Sequence, residues 1–275
     1  MRIPFTKAHG AKNDFLLTWA AAALVEDPRA AAIAICDRHT GPGADGWLIV
    51  NLPPEGETAY DAQIRLFNPD GSEVEMSGNG TRCAAAFLID SGVTKQEIAI
   101  LTGAGPKHMR VLESDRLRYN FEMNMGRPKW TAEELHYKLV LGSGEFDCTI
   151  MNVGNPQCAV FVSDFDFDWR AIGAGIERHA YFPNRTNVSF VRLVDEHKID
   201  VRFFERGAGE TMSSGTGSTG AAASAVLRGL VKSPIHVLTP AGPLELKWSG
   251  GEDEVFLIGP AEIVARGEFY YKSER

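Results

Sequence analysis

The sequence predicts an α+β fold of two pseudo-symmetric halves, each a curved, mostly antiparallel sheet around one central helix, and three observations predict it. The first is an internal repeat, sought before any local structure. IRLFNPDGSEVEMSGNG, Ile64 to Gly80, aligns without a gap on VRFFERGAGETMSSGTG, Val201 to Gly217, at an offset of 137 residues (Ser214 against Ser77) in a chain of 275. The second is a pair of alanine-rich segments, Thr81 to Ser91 and Ser218 to Arg228, that are apolar nearly all round; a helix with no polar stripe must be surrounded by protein. The third is a series of short β-type runs between turn signals.

Each copy of the repeat reads as an alternating strand, a loop rich in Gly, Asp and Glu, and a glycine turn opening a helix. Arg65 meets Arg202, Phe67 meets Phe204, Asn68 meets Glu205, Glu73 meets Glu210, and Gly78-x-Gly80 meets Gly215-x-Gly217. Gly92 and Gly229 stand where a left-handed cap ends a helix, because glycine tolerates positive φ. Further strands are predicted at 46–51, 97–101, 111–112, 117–123, 148–153, 159–162, 188–193, 235–238, 244–248 and 255–258. The halves are expected to span residues 1–118, completed by a C-terminal strand at about 262–275, and residues 119–261.

With 44% apolar, 9% aromatic and 23% charged residues, the composition supplies a packed interior and gives no case for disorder. Lys plus Arg number 28 against 36 Asp plus Glu, a net charge of −8, and no long basic cluster appears, so nucleic acid is excluded as a main partner. The most apolar stretch, Phe15 to Val25, is about half a membrane span. His9, Lys12, Asn13 and Asp14 occupy the place where a secretory signal would need an apolar core. A cytoplasmic protein with no membrane partner is expected. Cys36, Cys83, Cys148 and Cys158 lack zinc-ribbon spacing and are expected as reduced, buried thiols.

A helix start exposes unpaired N–H groups and a partial positive charge, so two glycine-rich helix starts facing a shared cleft predict carboxylate binding. Gly78-Asn79 and Gly215-Thr216 would donate from the two sides, flanked by Ser77 and Ser214. Two hydrogen-bonding groups on opposite faces of one carbon are what inversion needs, one removing a proton and the other returning one. The competing reading of both serines is plain N-capping. Gly215-Thr-Gly217-Ser-Thr-Gly220 spells a dinucleotide fingerprint, but about nine residues separate it from the preceding strand, where a nucleotide fold wants a tight turn. Asp70, Glu73, Glu75 and Glu210 are read as loop carboxylates rather than a cation site, and His9 and His39 as structural. No cofactor and no metal are expected.

Six segments in order, HGAKNDF from His9, RHTGPGADG from Arg38, FNPDGSEVEMSGNGTRC from Phe67, NVGNPQC from Asn152, RTNVSF from Arg185 and FFERGAGETMSSGTG from Phe203, resemble the diaminopimelate epimerase family over nearly the whole chain. The resemblance implies the two-half fold, a cofactor-independent isomerase that interconverts LL- and meso-diaminopimelate for lysine and peptidoglycan synthesis, and a homodimer. It implies substrate contacts at Asn13, Asn68, Gly78, Asn79, Asn155, Gln157, Asn187, Glu205, Arg206, Gly215 and Thr216. Arg206 would hold the remote carboxylate, and the asparagines would hold ammonium and carboxylate groups.

It also implies catalytic positions at Ser77, Ser214 and Glu205, with a departure. The family's two bases are cysteines, and Ser77 and Ser214 stand at their positions. The family's assisting histidine is matched by Gln157. A thiol ionises near pH 8.5 and can be tuned downward, whereas a serine hydroxyl is a far weaker acid, so the ordinary reaction is expected to be heavily impaired. Deliberate Cys-to-Ser replacement would leave Gln157 unexplained, which favours natural divergence. Two alternatives stay open at this point: a diverged isomerase using Glu205 on another substrate, and a non-catalytic amino-acid-binding homologue.

Overall fold

Side-chain oxygens start all four α-helices of the described residues, 1–272 in the computed structural model. They are α1 (Pro28–Cys36), α2 (Gly78–Asp90), α3 (Trp169–Glu177) and α4 (Gly215–Leu227). Asp27 and Asp168 cap α1 and α3, Ser77 caps α2 by accepting the Gly80 N–H at 3.1 Å, and Ser214 caps α4 by accepting the Gly217 N–H at 3.0 Å. Such a cap is worth about 1 kcal/mol. Gly92 (φ 106°) and Gly229 (φ 68°) follow the last turns of α2 and α4 in the left-handed region, as the sequence predicts.

α2 and α4 begin three residues earlier than expected, at Gly78 and Gly215 rather than Thr81 and Ser218. Glycine's poor helix propensity suggested a turn, but the glycines sit inside the first helical turn because the space beside them is occupied. A Cβ on Gly217 would lie 2.8 Å from Phe203 Cδ1 and 2.9 Å from Ser214 Oγ, and one on Gly220 2.9 Å from Gln157 Cβ. Small residues thus let the surrounding strands close on the helices. Cys83 to Ala86 and Ala221 to Ala223 are all at most 1% exposed.

The chain divides into two units, Met1–Met123 with the segment from Gly259, and Asn124–Ile258. The two have the same strand connections. In the first unit, Arg2–Gly10 pairs antiparallel with Asn13–Trp19, which pairs parallel with Gly46–Asn51, which pairs antiparallel with Ala62–Phe67. Ala62–Phe67 then pairs parallel with Glu97–Thr102, and that strand antiparallel with Gly105–Asp115. In the second unit the same sequence of pairings runs through Gly144–Asn152, Pro156–Val162, Asn187–Asp195, Lys198–Glu205, Ile235–Thr239 and Gly242–Lys247. Each unit is therefore mostly antiparallel with two parallel pairings, and its helices obey the repeat: α2 and α4 start and stop 137 residues apart (215 − 78 and 227 − 90). The segment expected at about 262–275 reaches residues 273–275, which lie outside the described residues; Glu262 to Tyr270 pair with Arg2–Gly10.

α1 and α3 were not expected from the sequence. Each packs a second helical layer on its unit: Ala31, Ala32 and Ile35 of α1 against Trp47, Ile49 and Phe67, and Trp169 and Ile176 of α3 against Ile150, Val188 and Phe190. Strand Gly46–Asn51 consequently touches α1 and α2, and Asn187–Asp195 touches α3 and α4. Strands covered on both faces read as continuous apolar runs, as WLIV at Trp47 to Val50 does. Among the described residues no helix is long and apolar enough to cross a membrane.

Candidate functional site

The first turns of α2 and α4 are built alike. Thr81 N and Ser218 N donate to the carbonyls of Ser77 and Ser214, and the cap oxygens take Gly80 N and Gly217 N. The N–H groups of Gly78, Asn79, Gly215 and Thr216 are left with no helical acceptor. All four residues are buried, so an anion meeting them does so where water competes poorly. The capping reading of Ser77 and Ser214 is correct as structure, and it fixes each hydroxyl beside those N–H groups.

In the first unit, Asn79 Nδ2 donates to Asn13 Oδ1 at 3.1 Å and Asn13 Nδ2 to Asp45 Oδ2 at 2.8 Å. Asp45 also accepts from Arg38, which forks onto Asp14; Lys7 lies 3.0 Å from Asp14. Burial alone would raise the Asp14 carboxyl, but the Arg38 and Lys7 hydrogen bonds and charges outweigh it and hold Asp14 below its ordinary value. Asn68 does not join this group. Its amide donates to Ser72 Oγ at 3.1 Å, and its carbonyl closes the turn by accepting Gly71 N.

In the second unit, Ser214 Oγ donates to Glu205 Oε1 at 2.6 Å while accepting the Gly217 N–H. The hydroxyl proton is thereby committed to a carboxylate in a charge-assisted bond. Asn155 donates to Thr216 Oγ1 at 3.3 Å and accepts from Gln157 Nε2 at 2.6 Å. Gln157 is 1% exposed, and its Oε1 has no hydrogen-bond partner among the described residues. Asn187 accepts the Arg206 N–H at 3.0 Å and donates to Pro156 O, and Arg206 Nη1 reaches Asn184 O at 3.3 Å.

Three contributors escaped the sequence reading. Asp45 lies in a quoted segment but gave no sign of holding Asn13. Arg82 sits three residues after Asn79, a spacing that puts both on one helix face, and its Nη2 donates to Asn79 Oδ1 at 2.5 Å. Glu177 had no local signal. It is 3% exposed at the end of α3 and accepts from Arg185 Nη1 and Gly207 N, both at 3.2 Å, and from Arg178 Nε. It therefore ties the turn carrying Glu205 and Arg206 to the loop before Asn187. Glu177→Gln keeps the shape and removes the charge, so unfolding in urea is expected to show a loss of about 1–3 kcal/mol with an unchanged slope; an unchanged midpoint would count against this role.

The remaining candidates are occupied elsewhere. Glu73 is forked by Arg65, Glu210 by Arg170, and Asp70 accepts from Ser72. The four cysteines are free and buried. Burial pushes the Cys83 thiol up to about 12, and the Cys148 hydrogen bond together with burial raises Cys158 well above an ordinary thiol. Neither can replace a reactive thiolate. Between strand Lys198–Glu205 and α4 lies the short return strand Gly209–Thr211, so the glycines of α4 do not follow the tight strand-to-helix turn of a nucleotide fold.

A family model described as diaminopimelate epimerase matches residues 5–131 and 149–264. The chain is similar to proteins named diaminopimelate epimerase from Teredinibacter turnerae, 37% identical over 98% of this chain and 99% of that one, and from Pelotomaculum thermopropionicum, 39% identical over the same shares. Among solved structures it resembles a hydroxyproline epimerase from Agrobacterium vitis with bound trans-4-hydroxy-L-proline. That TM-score is 0.71 at 16% identity, covering 97% of this chain and 92% of that one, a likeness of fold.

Proposed function

The chain belongs to the diaminopimelate epimerase family, and from that premise we propose that it is an isomerase acting without cofactor at the α-carbon of a diaminopimelate-like amino acid, with one proton-transfer face far more competent than the other. The observation that carries this reading is the Ser214–Glu205 hydrogen bond of 2.6 Å. As Ser214 Oγ takes the proton from the α-carbon, its own proton passes to Glu205 Oε1. The electron pair left on carbon spreads into the substrate carboxylate, where the N–H groups of a helix start, Gly215 and Thr216 beside Ser214, stabilise the growing charge. Reversal returns a proton to the same face.

Ser77 is assigned the second proton-transfer position. It accepts from Gly80, and Asn68, which the repeat sets opposite Glu205, turns its amide onto Ser72 and brings no carboxylate to Ser77. Asn13, Asn68, Asn155, Gln157, Asn187 and Arg206 are assigned to substrate binding, Arg206 to the remote carboxylate. A cytoplasmic, homodimeric enzyme is part of the same reading.

Incubation with LL-diaminopimelate in D2O, followed by proton NMR, is expected to show loss of the α-proton signal above the background rate. Gln157, which takes no proton near neutral pH, and the lack of a carboxylate at Asn68 favour a second reading, a silent amino-acid binder. Calorimetric binding with no exchange at high protein concentration would establish that reading and remove the first.

A further inference from the structure

We infer that Arg82 is a positioning residue that turns the side-chain amides of Asn79 and Asn13 into N–H donors for a substrate carboxylate. This rests on the proposed reading of the start of α2 as a carboxylate site, and it goes further by fixing which group each asparagine presents and what fixes it.

Arg82 is wholly buried one turn into α2, and no ion pair engages it among the described residues. Nε donates to Pro260 O at 3.2 Å, Nη2 donates to Asn79 Oδ1 at 2.5 Å, and Nη1 has no partner among the described residues. A buried cation without a carboxylate is costly. Burial lowers its pKa to about 10, which leaves it charged at neutral pH.

A guanidinium can only donate, so the atom of Asn79 that faces it must be the oxygen. Asn79 then has only its NH2 to give to Asn13, and Asn13 Oδ1 receives it at 3.1 Å. At the far end Asn13 Nδ2 meets Asp45 Oδ2 at 2.8 Å, and an ionised carboxylate only accepts. The two ends thus enforce the same polarity. An amide orientation that is ordinarily an assignment is here dictated by a cation on one side and an anion on the other.

Each asparagine keeps one Nδ2 hydrogen that the relay does not use, and Asn79 lies in the first turn of α2 with Gly78. The sequence reading let these asparagines hold ammonium or carboxylate. The relay selects carboxylate, and Arg82 adds a positive charge behind it.

The test compares calorimetric affinities for LL-diaminopimelate and its dicarboxamide. Arg82→Met is expected to weaken binding of the acid at least about tenfold while changing the carboxamide less than about twofold. Equal losses for both ligands would mean that Arg82 only braces the fold and would overturn the inference. Should Arg82→Met fail to fold, Asn79→Asp keeps an acceptor for Arg82 Nη2, supplies its missing counter-charge and removes the donor. It is expected to melt no lower than the parent and to lose acid affinity at least tenfold; retained acid affinity would overturn the inference. If the unaltered chain binds neither ligand, the carboxylate-site reading itself fails. If it binds the acid but the variants do not discriminate, the inference alone fails.

Discussion

A variant combining Ser77→Cys, Ser214→Cys and Gln157→His is expected to interconvert LL- and meso-diaminopimelate at least about a hundredfold faster than the parent chain, since a positioned base contributes about 10²- to 10⁴-fold. Both serines already hold the cap position of a helix whose first N–H groups have no helical acceptor, the setting that lowers a thiol's pKa. Gln157 is buried beside Asn155, and a histidine there would restore a group that titrates near neutrality. The change carries a stability cost. Serine is a strong N-cap, so replacing both is expected to lower stability by about 1–2 kcal/mol in total, and activity must be read well below the melting temperature. Polarimetry or chiral chromatography follows the interconversion. A folded variant no faster than the parent would show that the thiols are not what the site lacks.

Glu205→Gln is expected to reduce α-proton exchange by a factor of about 10² or more while leaving ligand affinity within about threefold. Glutamine retains an oxygen for the Ser214 hydroxyl, so the helix cap and the turn survive, but it cannot receive the proton that Ser214 must release when its oxygen acts on carbon. Exchange rate and calorimetric affinity measured on one preparation separate the two effects. Undiminished exchange would remove Glu205 from the chemistry; lost affinity with unchanged exchange at saturation would make it a binding group alone.

Much of this was legible because the repeat joins a strand, a loop and a helix start in one gapless match. That match gave the central helices and the paired glycines, whose spacing is local. α1 was passed over although Asp27 as a cap and Pro28 at its first position announce a helix start. α3 is nine residues long and holds Gly173 and Gly175, which lower its helix propensity although its apolar face is regular. At the site, Ser77 and Ser214 were visible as caps and as candidate reactive positions; the structure shows both as caps, and Ser214 bonded to Glu205 as well. The partners were less legible. Nothing near Gly207 in sequence announces Glu177, thirty residues away, and nothing near Asn13 announces its bond to Asp45. Such pairings are set by the packing of strands and loops distant in sequence, and composition or periodicity cannot report them. Arg82 is the instructive miss: its i, i+3 spacing from Asn79 was in plain view, but a lone arginine in an alanine-rich helix reads as a surface residue until its burial is known.

The most direct measurement is the rate of deuterium entry against the rate of inversion, taken on the same sample of diaminopimelate in D2O with the unaltered chain. With Ser214 backed by Glu205 and no carboxylate supplied to Ser77 by Asn68, deuterium should enter α-centres of one configuration at least about ten times faster than those centres invert. Deuterium entry and inversion at equal rates would mean two equally competent faces and would contradict the one-sided reading; a bound ligand that takes up no deuterium would contradict proton transfer through Ser214 and Glu205 altogether.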